Sequence, residues 1–282
     1  MPTANAEQID ETTNMSLQWL SQTPNSDIKV IANHKQQDQT FDNPDQWGYT
    51  GPSKHETKQH ALKYQQTYYL KNNTLNYGAE LKENKIDSTE NGEHENLNKA
   101  LFIANEWDLT GPLKMNVGGR YDDHEMFGGE FSPRLGAVYN VNKKFNLHFS
   151  ASKAYRTPTF NDLYWPEDAY TAGNPDLEPE TAKAYELGTR YYTAETQLEF
   201  NYFIRNAEDL IDWAQDENTG QWKPYNLSEA QISGVEMSWK QQLFTETIAE
   251  FNYTYLDAHN EQTDSRIKYK PYHTANIGLR YN

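Results

Sequence analysis

The sequence contains no cysteine, which excludes disulfides, thiolate metal sites and a cysteine nucleophile, and leaves the redox compartment unreadable from this residue type. It has no run of about 18 apolar residues, so no membrane-spanning helix is expected. Its start, MPTANAEQIDETTN, lacks the basic patch and apolar stretch of a signal peptide. Positive charge is scarce as well: 25 Lys and Arg face 41 Asp and Glu, for a net charge of -16. A nucleic-acid surface needs clustered cations to neutralise phosphates, so no nucleic-acid partner is expected. Hydrophobic residues make up only 36% of the 282 residues and mean hydropathy is -0.99, too polar for a conventional soluble core. Disorder does not follow, because aromatic residues reach 13% and tyrosine alone numbers 20.

What is present is an alternation of period two, the signature of strands whose successive side chains point to opposite faces. Phe145, Leu147, Phe149, Ala151 and Tyr155 alternate with Asn146, His148, Ser150 and Ser152. Leu198, Phe200, Tyr202 and Ile204 alternate with Gln197, Glu199, Asn201 and Arg205, and Ala275, Ile277, Leu279 and Tyr281 with Asn276, Gly278 and Arg280. The pattern predicts about thirteen strands, at 14-21, 27-37, 57-70, 73-86, 95-108, 112-123, 130-141, 144-156, 180-193, 195-213, 221-240, 245-258 and 270-281.

The connections alternate too. Short ones at 70-74, 109-112, 141-144, 192-195 and 241-245 interleave with long polar ones at 38-56, 87-94, 157-179, 214-220 and 259-269, with a compact one at 124-129. Prolines such as Pro112, Pro133, Pro158 and Pro271 are expected at strand ends, where no ladder bond is lost. Short turns at one end and long loops at the other are the plan of an outer-membrane barrel, all-β and antiparallel, with turns in the periplasm and loops outside the cell. A soluble sandwich or a β-solenoid is the competing architecture. Against it stand charges on the polar face, Glu80, Lys82, Arg120, Glu186, Arg190, Glu199 and Arg205, which a dry interior penalises heavily and a water-filled lumen does not.

The segment from Ser150 to Tyr191 carries a motif: Tyr155-Arg156-Thr157-Pro158, Phe160 to Tyr164, then Gly173-Asn174-Pro175-Asp176-Leu177-Glu178-Pro179-Glu180. With Tyr202 to Asp212, Asn226 to Glu236 and the closing Lys268 to Asn282, it resembles the TonB-dependent outer-membrane receptor family. Residues 1-110 match in pattern only. The blocks are most similar to the family's cobalamin-receptor branch, with ferric-siderophore and haem receptors close behind. The resemblance implies a barrel of about 22 strands around a plug, of which residues 1-282 supply about 13 strands and no plug domain. It further implies a bacterial outer-membrane location, TonB-dependent active uptake of a large scarce nutrient, and as partners the lipid bilayer, a cobalamin or iron-chelate ligand, and the TonB-ExbB-ExbD complex acting through the missing plug. The central motif itself reads first as a shape-giving bracket around an external loop, ahead of direct ligand contact.

No enzymatic constellation stands out. The acid pairs Asp122-Asp123, Glu208-Asp209 and Asp216-Glu217 read as a solvated rim rather than a glycosidase dyad. The histidines at 34, 55, 60, 94, 124, 148, 259 and 273 are scattered without metalloprotease spacing, and no metal site or cofactor is expected. Residues 157-180 hold no histidine, which weakens a haem reading. Loop carboxylates Asp38, Asp42 and Asp45 read as solvated acidity before a calcium site. The ligand-binding candidates are loop aromatics, whose flat apolar faces and polar tips suit a large amphipathic ligand: Trp47, Tyr49, Tyr164, Trp165, Tyr170, Trp213, Trp222 and Tyr225. The alternative from another class is a secreted carbohydrate-binding β protein.

Overall fold

The computed structural model describes residues 5-45, 48-216, 218-267 and 270-281. Its strands are β1 (Glu7–Thr23), β2 (Ser26–Asp42), β3 (Ser53–Leu70), β4 (Asn73–Ser88), β5 (Gly92–Thr110), β6 (Leu113–His124), β7 (Gly128–Asn142), β8 (Phe145–Arg156), β9 (Glu180–Tyr192), β10 (Thr196–Gln215), β11 (Trp222–Phe244), β12 (Thr247–Asn260), β13 (Ser265–Arg266) and β14 (His273–Tyr281). One helix among the described residues, α1 (Phe160–Tyr164), lies between β8 and β9. All strands join one antiparallel sheet in chain order as far as β12, which pairs with both β13 and β14. Among the described residues the open edges are β1 on one side and, on the other, β13 and β14, each paired only with β12. Among the described residues no helix is long and apolar enough to cross a membrane.

Directly opposite residues on antiparallel neighbours share a face, so the ladders carry the apolar alternation across the sheet. Met115, Ala137, Phe149, Leu187, Tyr202, Val235 and Tyr255 form one continuous row from β6 to β12. Ala79, Leu101, Tyr121 and Phe131 form another. These side chains are not a packed core: Leu101 is 64% exposed, Leu187 58% and Phe131 56%. A contiguous apolar surface of this extent needs an apolar solvent to cover it, which for a β-barrel is lipid.

The opposite face is charged and internally paired. Arg120 donates to Asp122 at 2.8 Å and to Glu80 at 3.0 Å, Arg190 to Glu199 at 2.7 Å, and Lys240 lies 3.2 Å from Glu250. His148 and Asn201 meet at 2.8 Å, bridging β8 and β10 across Gly188 of β9. Any Cβ at position 188 would sit 2.1 Å from the Asn201 oxygen and 2.4 Å from the His148 ring nitrogen, so only glycine lets the two reach each other.

The strands outrun the predicted bounds at the end that carries the long connections: β2 and β3 continue to Asp42 and Ser53, and β10 and β11 reach 20 and 23 residues. A tilted strand crosses a bilayer in about 9–11 residues, so this end projects beyond the membrane. Polar residues on both faces there obscure the alternation, which is why periodicity stopped short. The loop expected at 87-94 shrinks to 89-91, because Ser88 folds the turn tightly by accepting the N–H groups of Glu90 and Asn91 at 3.1 and 3.0 Å. Pro133 stands inside β7 rather than at its end. The β7–β8 ladder runs no further than Arg134, so the missing proline N–H falls past its last pair.

Candidate functional site

The 157-179 connection is a folded cap rather than a loose loop. Thr159 starts α1 with a capping box, its hydroxyl accepting the Asp162 N–H at 3.2 Å while the Asp162 carboxylate accepts the Thr159 N–H at 2.9 Å. Leu163, Ala172 and Leu177 are at most 4% exposed and fix the segment from inside. No helical period marks this stretch, since five residues are too few to show one.

The cap is tied to the projecting β10–β11 hairpin. Thr171 and Trp222 form an isolated parallel bridge, with the Trp222 N–H donating to the Tyr170 carbonyl at 2.7 Å and the Ala172 N–H to the Trp222 carbonyl at 3.1 Å. Asn174 donates to the Pro224 carbonyl at 3.0 Å. Asn226 donates to the carbonyls of Glu178 and Asp209, both at 2.8 Å. Asp209 adopts a left-handed backbone, φ 57°, in a bulge that interrupts the β10–β11 ladder. The Ile211 N–H beyond it donates to Glu180 at 2.8 Å, and Glu180 also accepts a two-pronged bond from Arg156. The other flank of the cap reaches the β4–β5 turn, where Asn91 donates to Asn161.

Two cavities flank Trp165. One of about 790 Å³ is lined by Phe41, Tyr49, His55, Glu90, Asn161 and Trp165 among others. A second of about 700 Å³ includes Arg156, Asp162, Trp165, Asp168 and Trp213. Trp165 and Trp213 meet edge to face with centroids 6.5 Å apart, and the Trp165 indole N–H donates to Thr171 at 3.1 Å. The Asp168 carboxylate accepts the N–H groups of Tyr170 and Thr171 at 2.7 and 2.6 Å, which hold its pKa below the ordinary value.

Of the candidate aromatics, the structure therefore gathers Tyr49, Trp165 and Trp213 around these cavities. Tyr170 of the cap and Trp222 of β11 line neither cavity and are 73% and 49% exposed. Tyr164 stacks on His94 with centroids 3.6 Å apart and interplanar angle 5°. Tyr225 is bound to Asp216 at 2.7 Å, and Trp47 lies outside the described residues. Arg156 and Asn161 belong to the motif, which the sequence marks as shaping the loop rather than lining a site, and His55 is one of the scattered histidines, which carry no periodic signal. Among the described residues no group of three or more His, Cys, Asp or Glu side chains converges on a metal position.

The family model described as TonB dependent receptor-like, beta-barrel, matches residues 4-282. A vitamin B12 transporter of Vibrio vulnificus is 34% identical over 140 residues, 50% of this chain and 22% of the relative. Another from Photobacterium profundum is 26% identical over 242 residues, covering 81% of this chain and 38% of the relative. The iron-regulated outer membrane virulence protein of Vibrio cholerae O395 is 28% identical over 189 residues, 61% of this chain and 29% of the relative. In fold, the chain is similar to the ferric enterobactin receptor of Pseudomonas aeruginosa, with TM-score 0.86 at 18% identity, over 97% of this chain and 47% of that one. The chain thus spans less than half the length of these relatives.

Proposed function

The chain belongs to the TonB-dependent receptor β-barrel family of the bacterial outer membrane, and from that premise we propose that it forms wall and outer recognition surface in a transporter for cobalamin. The observation that carries this reading is the cap tied to the β10–β11 hairpin and the β4–β5 turn, with Trp165 standing between two cavities. Tyr49, Trp165 and Trp213 offer flat apolar contact, while Arg156, Asn161 and Glu90 offer hydrogen bonds, a mixture suited to a corrinoid's broad ring and amide side chains. Identity to two vitamin B12 transporters supports this cargo. Uptake would draw on TonB and its partners through a plug elsewhere in the full-length protein. A ferric-chelate receptor is the second reading, favoured by the likeness to the iron-regulated relative. Family membership sets aside catalysis and a secreted carbohydrate-binding role.

The test is cyanocobalamin transport by the full-length protein in a strain lacking its own cobalamin receptor. Accumulation that disappears when TonB is deleted is expected. Absent accumulation together with TonB-dependent uptake of a ferric catecholate would transfer the assignment to the second reading.

A further inference from the structure

On β2 the apolar outward residues Val30 and Ala32 are followed by His34, and on β3 Tyr64 and Leu62 are followed by His60. His34 and His60 are direct ladder partners, so they stand side by side on the outward face, one row beyond the apolar band towards the long connections. Their Nδ1 atoms face each other at 3.4 Å, with ring centroids 4.7 Å apart and planes tilted by 34°. The row continues to Met15 of β1, the ladder partner of His34, and to Glu83 of β4, the partner of His60.

Two nitrogens in that disposition can share one proton, the donor on one ring and the acceptor on the other. They also match the bite of a metal ion: with bonds of about 2.0–2.1 Å in tetrahedral geometry, two nitrogens on one zinc stand about 3.4 Å apart. Neutral imidazole suits borderline divalent ions, and copper outranks zinc at such donors. We propose that His34 and His60 form a cross-strand chelate for a divalent transition-metal ion, copper or zinc, on the outer wall of the barrel where the lipid-facing band ends. The two imidazoles provide the protein ligands and water completes the coordination, because no third histidine or carboxylate converges there among the described residues. The ion crosslinks β2 to β3 at the membrane boundary. This site is separate from the cavities beside Trp165 and from any transported cargo.

The experiment titrates full-length protein in detergent with Cu²⁺ or Zn²⁺ alone, beside H34Q, H60Q and H148Q variants. Wild type and H148Q are expected to bind one equivalent more than H34Q and H60Q, and Cu²⁺ in that extra site to show electron paramagnetic resonance coupling to two imidazole nitrogens. Circular dichroism and retention of the heat-modifiable barrel band check that each variant folds. Should folded H34Q and H60Q bind as many equivalents as wild type, or the copper signal lack the second nitrogen, the chelate is overturned. Cobalamin binding is unaffected in either outcome, so failure here leaves the transport reading intact.

Discussion

The side chain of Asn226 and the main chain of Glu178, 48 residues apart, exchange two hydrogen bonds: the Glu178 N–H donates to the Asn226 oxygen at 2.9 Å and the Asn226 amide donates to the Glu178 carbonyl at 2.8 Å. An asparagine side chain thereby does at this point what a neighbouring strand does elsewhere in the sheet. It turns the cap into a continuation of the β10–β11 hairpin.

Replacing Asn226 with alanine removes both bonds and the one to Asp209. At a net 0.5–1.5 kcal/mol each, about 1.5–4.5 kcal/mol of local stability is expected to go. Hydrogen exchange of residues 157-179 should accelerate accordingly while that of β3 to β6 stays unchanged. Unaltered exchange in the cap would show that the buried apolar residues hold it alone.

Trp165 touches both cavities, so W165A is expected to weaken ligand binding by about tenfold or more, as loss of a buried aromatic anchor does. Calorimetry on the full-length protein measures it. Y164A serves as comparison, since Tyr164 is occupied by its stack on His94, and equal losses in the two variants would contradict the placement of the site.

Neighbouring residues on β9 should respond oppositely to substitution. Leu187 lies in the apolar row and Glu186 on the charged face, 3.6 Å from His148. Arginine at a lipid-facing position costs about 2–4 kcal/mol near the bilayer midplane, so L187R is expected to lower the unfolding free energy in vesicles by that order. E186Q should change it by less than about 1 kcal/mol. A reversed ranking would place lipid on the other side of the sheet.

Asp216 gives the loop between β10 and β11 a defined acid response. The Tyr225 hydroxyl, helped by the N–H groups of Thr219 and Asn218, pulls its pKa down to about 2. A carboxylate depressed in the folded state stabilises above its ordinary value of 3.8 and loses that contribution as pH falls towards 2. The Asp216 carboxyl resonance should therefore titrate near 2 in wild type and higher in Y225F, though still below its ordinary value because the Thr219 and Asn218 N–H bonds remain. Matching titrations in the two proteins would exclude the tyrosine as the cause.

The parts of the chain differ in how plainly their residues show the fold. Strands β6 to β12 were legible because their outward residues, from Met115 to Tyr255, meet lipid and their partners meet water, a contrast that repeats every second residue. The projecting ends of β2, β3 and β11 were not, since water bathes both faces there. The aromatics of the cap were visible as types, yet only docking separates Trp165, set between cavities, from Tyr164 and Tyr225, which are held by His94 and Asp216.

The sequence by itself determined the sheet, its two unlike faces and the alternation of short and long connections, because each follows from residues adjacent in the chain. Only the tertiary structure decided that His34 would face His60, that Asn226 would bind Glu178, and that Trp165 would meet Trp213. Those meetings depend on strand register and loop closure across 26 to 48 positions, and no local pattern records which distant partner the ladder will bring alongside.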